Sequence, residues 1–144
     1  MLSISRWLER LLRVHTRLYH NLEVNMRYLC LIYEDERLWE QATPAEQEKV
    51  FSEYVAFGGD IKSNGHHLAG EPLQPTSTAT TVRVRNGKIS TTDGPFAETK
   101  EQLGGFYVVE AKDLDEAIEI AARIPDVRRG SIEVRPVMET GMPS

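Results

Sequence analysis

Two helix signatures, each standing between strand-like runs, constrain the fold of this chain more than any other feature. Thr43-Pro44-Ala45-Glu46 starts the first, with Thr43 as N-cap, Pro44 in the first turn and Glu46 placed as in a capping box. Val50, Phe51, Tyr54 and Val55 then form the expected inward stripe. Gly58-Gly59 could interrupt this helix, and Asn64-Gly65 stops it. Asp113 caps the second helix, whose expected buried face is Leu114, Ala117, Ile118, Ala121 and Ile124, and Pro125 ends it.

Strand signals surround both helices. The run Tyr28-Leu29-Cys30-Leu31-Ile32-Tyr33 is continuously apolar, the mark of a strand buried on both faces. A short strand, His67 to Glu71, leaves the first helix. Asn86-Gly87 joins the runs Ala79–Val84 and Lys88–Thr92 and fits a type I′ hairpin turn. Gly104-Gly105 opens the strand Phe106–Glu110, and Ser131–Val137 closes the domain. The order β-α-β, hairpin, β-α-β predicts an α+β ferredoxin-like sandwich with an antiparallel sheet and both helices on one face. The other face would carry Tyr33 and Val108, too apolar to leave in water. A homodimer closing two sheets face to face is the expected remedy.

Composition narrows the function classes. A chain of 144 residues is one domain of ordinary size. With 17 basic and 22 acidic residues the net charge is −5, which argues against nucleic acid as a partner. The single cysteine, Cys30, excludes an intramolecular disulfide and reads as a small buried hydrophobe. No apolar run approaches the roughly 20 residues that span a bilayer, and a cytoplasmic protein is expected. Charge is uneven: residues 1–25 carry four arginines against two glutamates, while the rest is strongly acidic. Ile4, Trp7, Leu8, Leu11, Leu12, Val14 and Leu18 approximate a helical stripe in that basic segment. It reads either as a helix that docks on a membrane surface or partner, or as an upstream extension, native or not, ahead of a domain at 26–144. The second reading fits Met26-Arg27-Tyr28 leading straight into a strand.

The loop between the hairpin and the next strand carries the chemistry. Asp93 precedes Gly94-Pro95, so the usual Asx-turn partner two residues on has no N–H. Its carboxylate must reach Phe96, another segment or a ligand, and Pro95 pushes Gly94 toward extended geometry. Glu98, Lys100 and Glu101 follow, where a lysine between carboxylates could tune or bind an acid. Arg135, on the last strand, is a candidate partner for Asp93, and Tyr33 could project a phenol into the same cavity. His67 is a candidate base or proton shuttle. His66 and His67 are adjacent on a strand and point to opposite faces, so no metal site is expected. Thr76, Ser77 and Thr78 lack a nucleophile elbow, and no dinucleotide or phosphate loop is present, so no cofactor is expected.

Four ordered blocks carry a resemblance: the strand from Met26 to Tyr33, the run Leu73 to Arg83, the block Thr92 to Phe106 and the tail Val134-Arg135-Pro136-Val137-Met138. Together they resemble the YCII-related proteins of the DGPF type over residues 26 to about 139. The resemblance implies a dimeric α/β barrel built from ferredoxin-like halves, an acid-containing pocket for a small organic molecule and a genomic link to extracytoplasmic-function sigma factors. It names no reaction. Where the wider group pairs a histidine with its aspartate, this chain offers only His66 and His67 in the domain, at another place in the pattern. On this reading Asp93 is the acid–base group, Lys100 and Arg135 are its electrostatic partners, Tyr33 and His67 are secondary proton carriers, and Phe96, Glu98 and Glu101 contribute to binding. The alternative is a non-catalytic ligand-sensing or protein-binding module associated with sigma-factor regulation.

Overall fold

A computed structural model describes residues 25–143 and, ahead of them, Leu8 alone. The stripe read over residues 1–25 otherwise lies outside the described residues. Six strands and three helices follow: β1 (Met26–Glu34), α1 (Glu36–Gln41), α2 (Pro44–Ser63), β2 (His67–Pro72), β3 (Thr80–Arg85), β4 (Lys88–Asp93), β5 (Gln102–Ala111), α3 (Leu114–Ala121) and β6 (Ser131–Pro136). Single 3₁₀ turns sit at Thr76–Thr78 and Pro125–Arg128. The main sheet has the order β2-β5-β1-β6 with every pair antiparallel, which is the ferredoxin-like arrangement. β3 and β4 form a separate two-stranded sheet inserted between β2 and β5. The single chain does not close a barrel.

The caps form as the sequence predicts. Thr43 Oγ1 accepts from Glu46 N–H at 3.2 Å, and the Glu46 carboxylate accepts from Thr43 N–H at 2.7 Å. Asp113 accepts from Glu116 N–H at 2.9 Å. Asn86 and Gly87 both take positive φ (52° and 72°), as a type I′ turn requires. The short helix α1, capped by Asp35, was not expected, because Glu34-Asp35-Glu36 reads as an acidic exit from a strand. Gly58-Gly59 does not interrupt α2, which runs unbroken for 20 residues.

The core lies between the sheet and the helices. Tyr28, Cys30 and Ile32 of β1 meet Val109 and Ala111 of β5, with Phe57 and Ile61 of α2 and Ala117, Ile120 and Ala121 of α3 above them. Removing the larger of these side chains, Ile32, Phe57, Ile61, Val109 and Ile120, from water stabilises by about 2 kcal/mol each. Burial alternates along β1, so the strand is closed on one face, while Leu29, Leu31 and Tyr33 are half-buried on the other. The expected helix faces hold in part: Ala117, Ala121 and Ile124 are buried and Tyr54 packs against the core, but other expected positions face out. Phe51 and Val55 are 68% and 60% exposed, and α2 buries Phe57 and Ile61 instead. Leu114 and Ile118 are exposed and Ile120 is buried in α3. The stripes read from sequence assume a helix centred on its core, whereas α2 covers the sheet with its C-terminal half. No helix among the described residues is long and apolar enough to cross a membrane.

Candidate functional site

The alternation that buries Tyr28, Cys30 and Ile32 carries on to Glu34, so a carboxyl at the end of β1 faces the helix layer. A β-bulge sits beside it. Ile32 pairs with Gly105 and Tyr33 with Leu103, which leaves Gly104 as the extra residue. Its carbonyl accepts from Leu73 N–H at 2.9 Å, tying in the segment that leaves β2. The other half of the site comes from the turn after α3. Pro125 opens a 3₁₀ turn that carries Asp126, and Gly130 closes it with its N–H on the Asp126 carbonyl at 2.8 Å. A Cβ on Gly130 would stand 1.9 Å from the Tyr33 carbonyl oxygen, so only glycine lets this turn lie against the end of β1.

That close approach brings four groups together. Asp126 is buried at 6% exposure. The Tyr54 hydroxyl, reaching across from α2, donates to Asp126 Oδ2 at 2.6 Å, and the Arg129 guanidinium donates to Oδ1. Glu34 shares this environment. Burial pushes its carboxyl up to about 7, the negative charge of Asp126 adds to the rise, and Arg129 opposes it. Burial, and then the hydrogen bond to Asp126, hold the Tyr54 phenol well above the ordinary tyrosine range. Next along the chain, Glu36 accepts from the N–H and hydroxyl of Thr76 at 2.7 and 2.8 Å, and its own N–H donates to Gln102 Oε1 at 3.1 Å.

The acids line a cleft of about 450 Å³ between α1, α2 and the β2–β5–β1 part of the sheet. Gly70, Gly104 and Gly105 line it from the strands, so little side-chain volume rises from the sheet there. The crowding beneath is real: a Cβ on Gly70 would meet the Tyr107 ring at 2.5 Å, and one on Gly105 the Glu71 carbonyl at 3.0 Å. Trp39, Phe51, Tyr54 and Tyr107 supply aromatic walls. Tyr107 is held edge-on to Phe57, with ring centroids 5.2 Å apart. A carboxyl that takes and releases a proton near neutral pH, beside a second carboxyl fixed by other partners, is the arrangement general acid–base chemistry uses. Among the described residues, no group of three or more His, Cys, Asp or Glu side chains is placed to hold a metal ion.

None of the eight residues singled out from sequence lines this cleft. Asp93 is exposed at the end of β4, and among the described residues its carboxylate has no hydrogen-bond partner. Gly94 takes a φ of 105°, a value glycine can reach, rather than the ordinary extended geometry expected ahead of Pro95. Phe96 is 82% exposed, and Glu98 and Lys100 are exposed with it. Lys100 lies near Asp35 and adds a little to the depression of that carboxyl, which Arg37 mainly causes. Glu101 accepts from the Ser131 hydroxyl at 3.1 Å. Arg135 pairs with Glu133 of its own strand at 2.7 Å, not with Asp93, because β6 is the far edge strand of the main sheet. Tyr33 points away from the helix layer. His67 stands edge-on to Tyr107 at 6.3 Å, just outside the cleft. Cys30 is buried and its thiol is pushed up to about 11, which fits a small core hydrophobe. Sequence reasoning passes over Glu34 and Asp126. Extending the Tyr28-Cys30-Ile32 alternation by one step would have flagged Glu34. Only Arg129, three residues on, is local to Asp126; its other neighbours come from α2 and β1.

The fold and its cleft define a small antiparallel α+β domain that holds a pair of acids beneath a helix. Residues 26–140 match the YCII-related domain, and the chain belongs to that family. It is 38% identical over 114 residues to "Uncharacterized protein R00369" of Rhizobium meliloti (strain 1021), an alignment covering 78% of this chain and 92% of that protein.

Proposed function

We propose that this is a small enzyme-like protein whose cleft receives a small organic molecule and whose Glu34 exchanges a proton with it. The observation that carries the reading is the Glu34–Asp126 pair at the wall of a 450 Å³ cleft, with Asp126 fixed by Tyr54 and Arg129. Burial, and then the charge of Asp126, keep the Glu34 proton available near neutral pH, and Tyr54 and Arg129 hold Asp126 still. A thermal-shift screen of small organic acids, amines and phenols tests it, run beside Glu34→Gln. A compound that raises the melting temperature of the wild type alone supports the role. An equal response in both proteins removes Glu34 from the site. A homodimer belongs to the same proposal, supported by the half-buried apolar face of Leu29, Leu31, Phe106 and Val108 opposite the helices. Sedimentation at micromolar concentration checks it, and a monomer there rejects it.

A second reading is favoured by the exposure of the β3–β4 hairpin and the loop after it, where Ile89 and Phe96 stand 75% and 82% exposed. Here Asp93, Lys100 and His67, with Tyr33, Phe96, Glu98, Glu101 and Arg135, would act in a site completed by another chain. The protein would then be a cytoplasmic ligand-sensing or protein-binding module tied to sigma-factor regulation. Asp93→Asn would abolish its ligand or partner response while keeping the fold, and an unchanged response would discard it.

A further inference from the structure

The cleft carries a second kind of information in the sign of its charges. Its lining includes five carboxyl groups: Glu34, Glu36, Glu40, Glu71 and Asp126. Among the described residues it includes no lysine, arginine or histidine. The guanidinium of Arg129 is committed to Asp126 from behind, so the charges of Glu36, Glu40 and Glu71 are left without a cation in the lining. Glu40 and Glu71 are exposed, where an incoming molecule meets them first, and Glu36 is held in place by Thr76. A cleft lined by one sign of charge between low-dielectric walls concentrates the opposite sign. The walls add a matching preference, because the faces of Trp39, Phe51, Tyr54 and Tyr107 attract cations as well as apolar groups.

We infer that the ligand of this cleft is a small organic cation: an amine carrying an apolar, aromatic-sized body. This rests on the cleft being the functional site. The body fills the space over Gly70, Gly104 and Gly105, and the ammonium group lies toward Glu34 and the acids of the mouth. An anionic ligand, which Lys100 and Arg135 would have favoured, meets no positive charge in this lining. An ammonium group beside Glu34 favours the ionised carboxylate, so the Glu34 proton passes to the buffer as the amine binds. Glu34 is faced by Asp126 and Arg129 from the turn after α3, by Glu36 from α1 and by Tyr54 from α2, and these set how much of a proton is released.

The test compares 2-phenylethylamine, 2-phenylethanol and phenylacetate at pH 7 and low salt, by calorimetric titration of the full chain in two buffers of different ionisation enthalpy. The amine is expected to bind at least about 10-fold tighter than phenylacetate and to release a fraction of a proton, which the two buffers reveal. The double variant Glu40→Gln/Glu71→Gln should weaken the amine about 10-fold and leave the alcohol unchanged. Glu34→Gln should abolish the proton release. Preference for the alcohol or for phenylacetate overturns the cationic ligand while leaving the cleft reading intact. Silence from all three overturns both. Amine binding that is indifferent to the Glu40→Gln/Glu71→Gln change also overturns the inference.

Discussion

The β3–β4 hairpin and the Glu34–Asp126 cleft sit on opposite terms with the rest of the molecule. The hairpin is built almost wholly from local instructions: an Asn-Gly turn, β-branched residues on both sides and a register that runs cleanly from Arg85↔Lys88 to Thr80↔Asp93. Every residue of β4 is exposed. The cleft takes one group from the end of β1, one from α2 and two from the turn after α3, and the central acids Glu34 and Asp126 are half-buried and buried. Local chemistry makes a segment easy to read. Burial and long-range neighbours give a carboxyl an unusual proton affinity, and the two properties fall in different places here.

The sharpest way to break the comparison is Gly130→Ala. A Cβ placed 1.9 Å from the Tyr33 carbonyl cannot be accommodated without pulling the turn off β1. We expect a loss of about 3 kcal/mol or more in urea denaturation. A near-neutral result would mean that the turn and β1 are not in contact. Tyr54→Phe comes next. It leaves Asp126 without one of its donors, and a loss of about 2 kcal/mol should appear in the same measurement.

Glu34→Gln sharpens the contrast through pH. The Glu34 carboxyl rises from 4.5 to about 7 on folding. Between those values the folded protein holds a proton that the unfolded chain has lost, so this contribution is complete below pH 4.5 and fades as pH rises through 7. The variant cannot ionise and should lack that decline, a difference on the order of 2 kcal/mol between unfolding free energies taken at pH 4.5 and pH 8. Parallel curves for the two proteins would show that Glu34 titrates as an ordinary carboxyl. Smallest of all is Asp93→Asn, which should leave stability within about 0.5 kcal/mol because its carboxylate has no partner among the described residues. A larger change would show that the hairpin loop is tied into the fold.

Much of the fold was legible. Thr43 with Glu46, Asp113 and Asn86-Gly87 are signals whose partners lie within a few residues, and each forms as read. The edges of the buried stripes were not, because Phe51 and Phe57 are equally apolar and only the position of the helix over the sheet separates them. The candidate site was legible only at one end. Glu34 continues a visible alternation, but Asp126 meets Tyr54 across the fold, and its turn lies against β1 only because residue 130 is glycine. The Asp93 loop is conspicuous in sequence because its features lie in consecutive residues, including a proline that removes a donor.

One hydrogen bond at the root of the hairpin has a practical consequence. Gly94 N–H donates to the Ala79 carbonyl at 2.7 Å, so the two ends of the insertion already meet. Everything between them is a cassette: the stems are fixed by the parent domain, and its contents are not. A protein engineer could shorten it to a tight turn, lengthen it or graft a fluorescent or epitope tag in its place, leaving the four-stranded sheet and its cleft as an unaltered chassis.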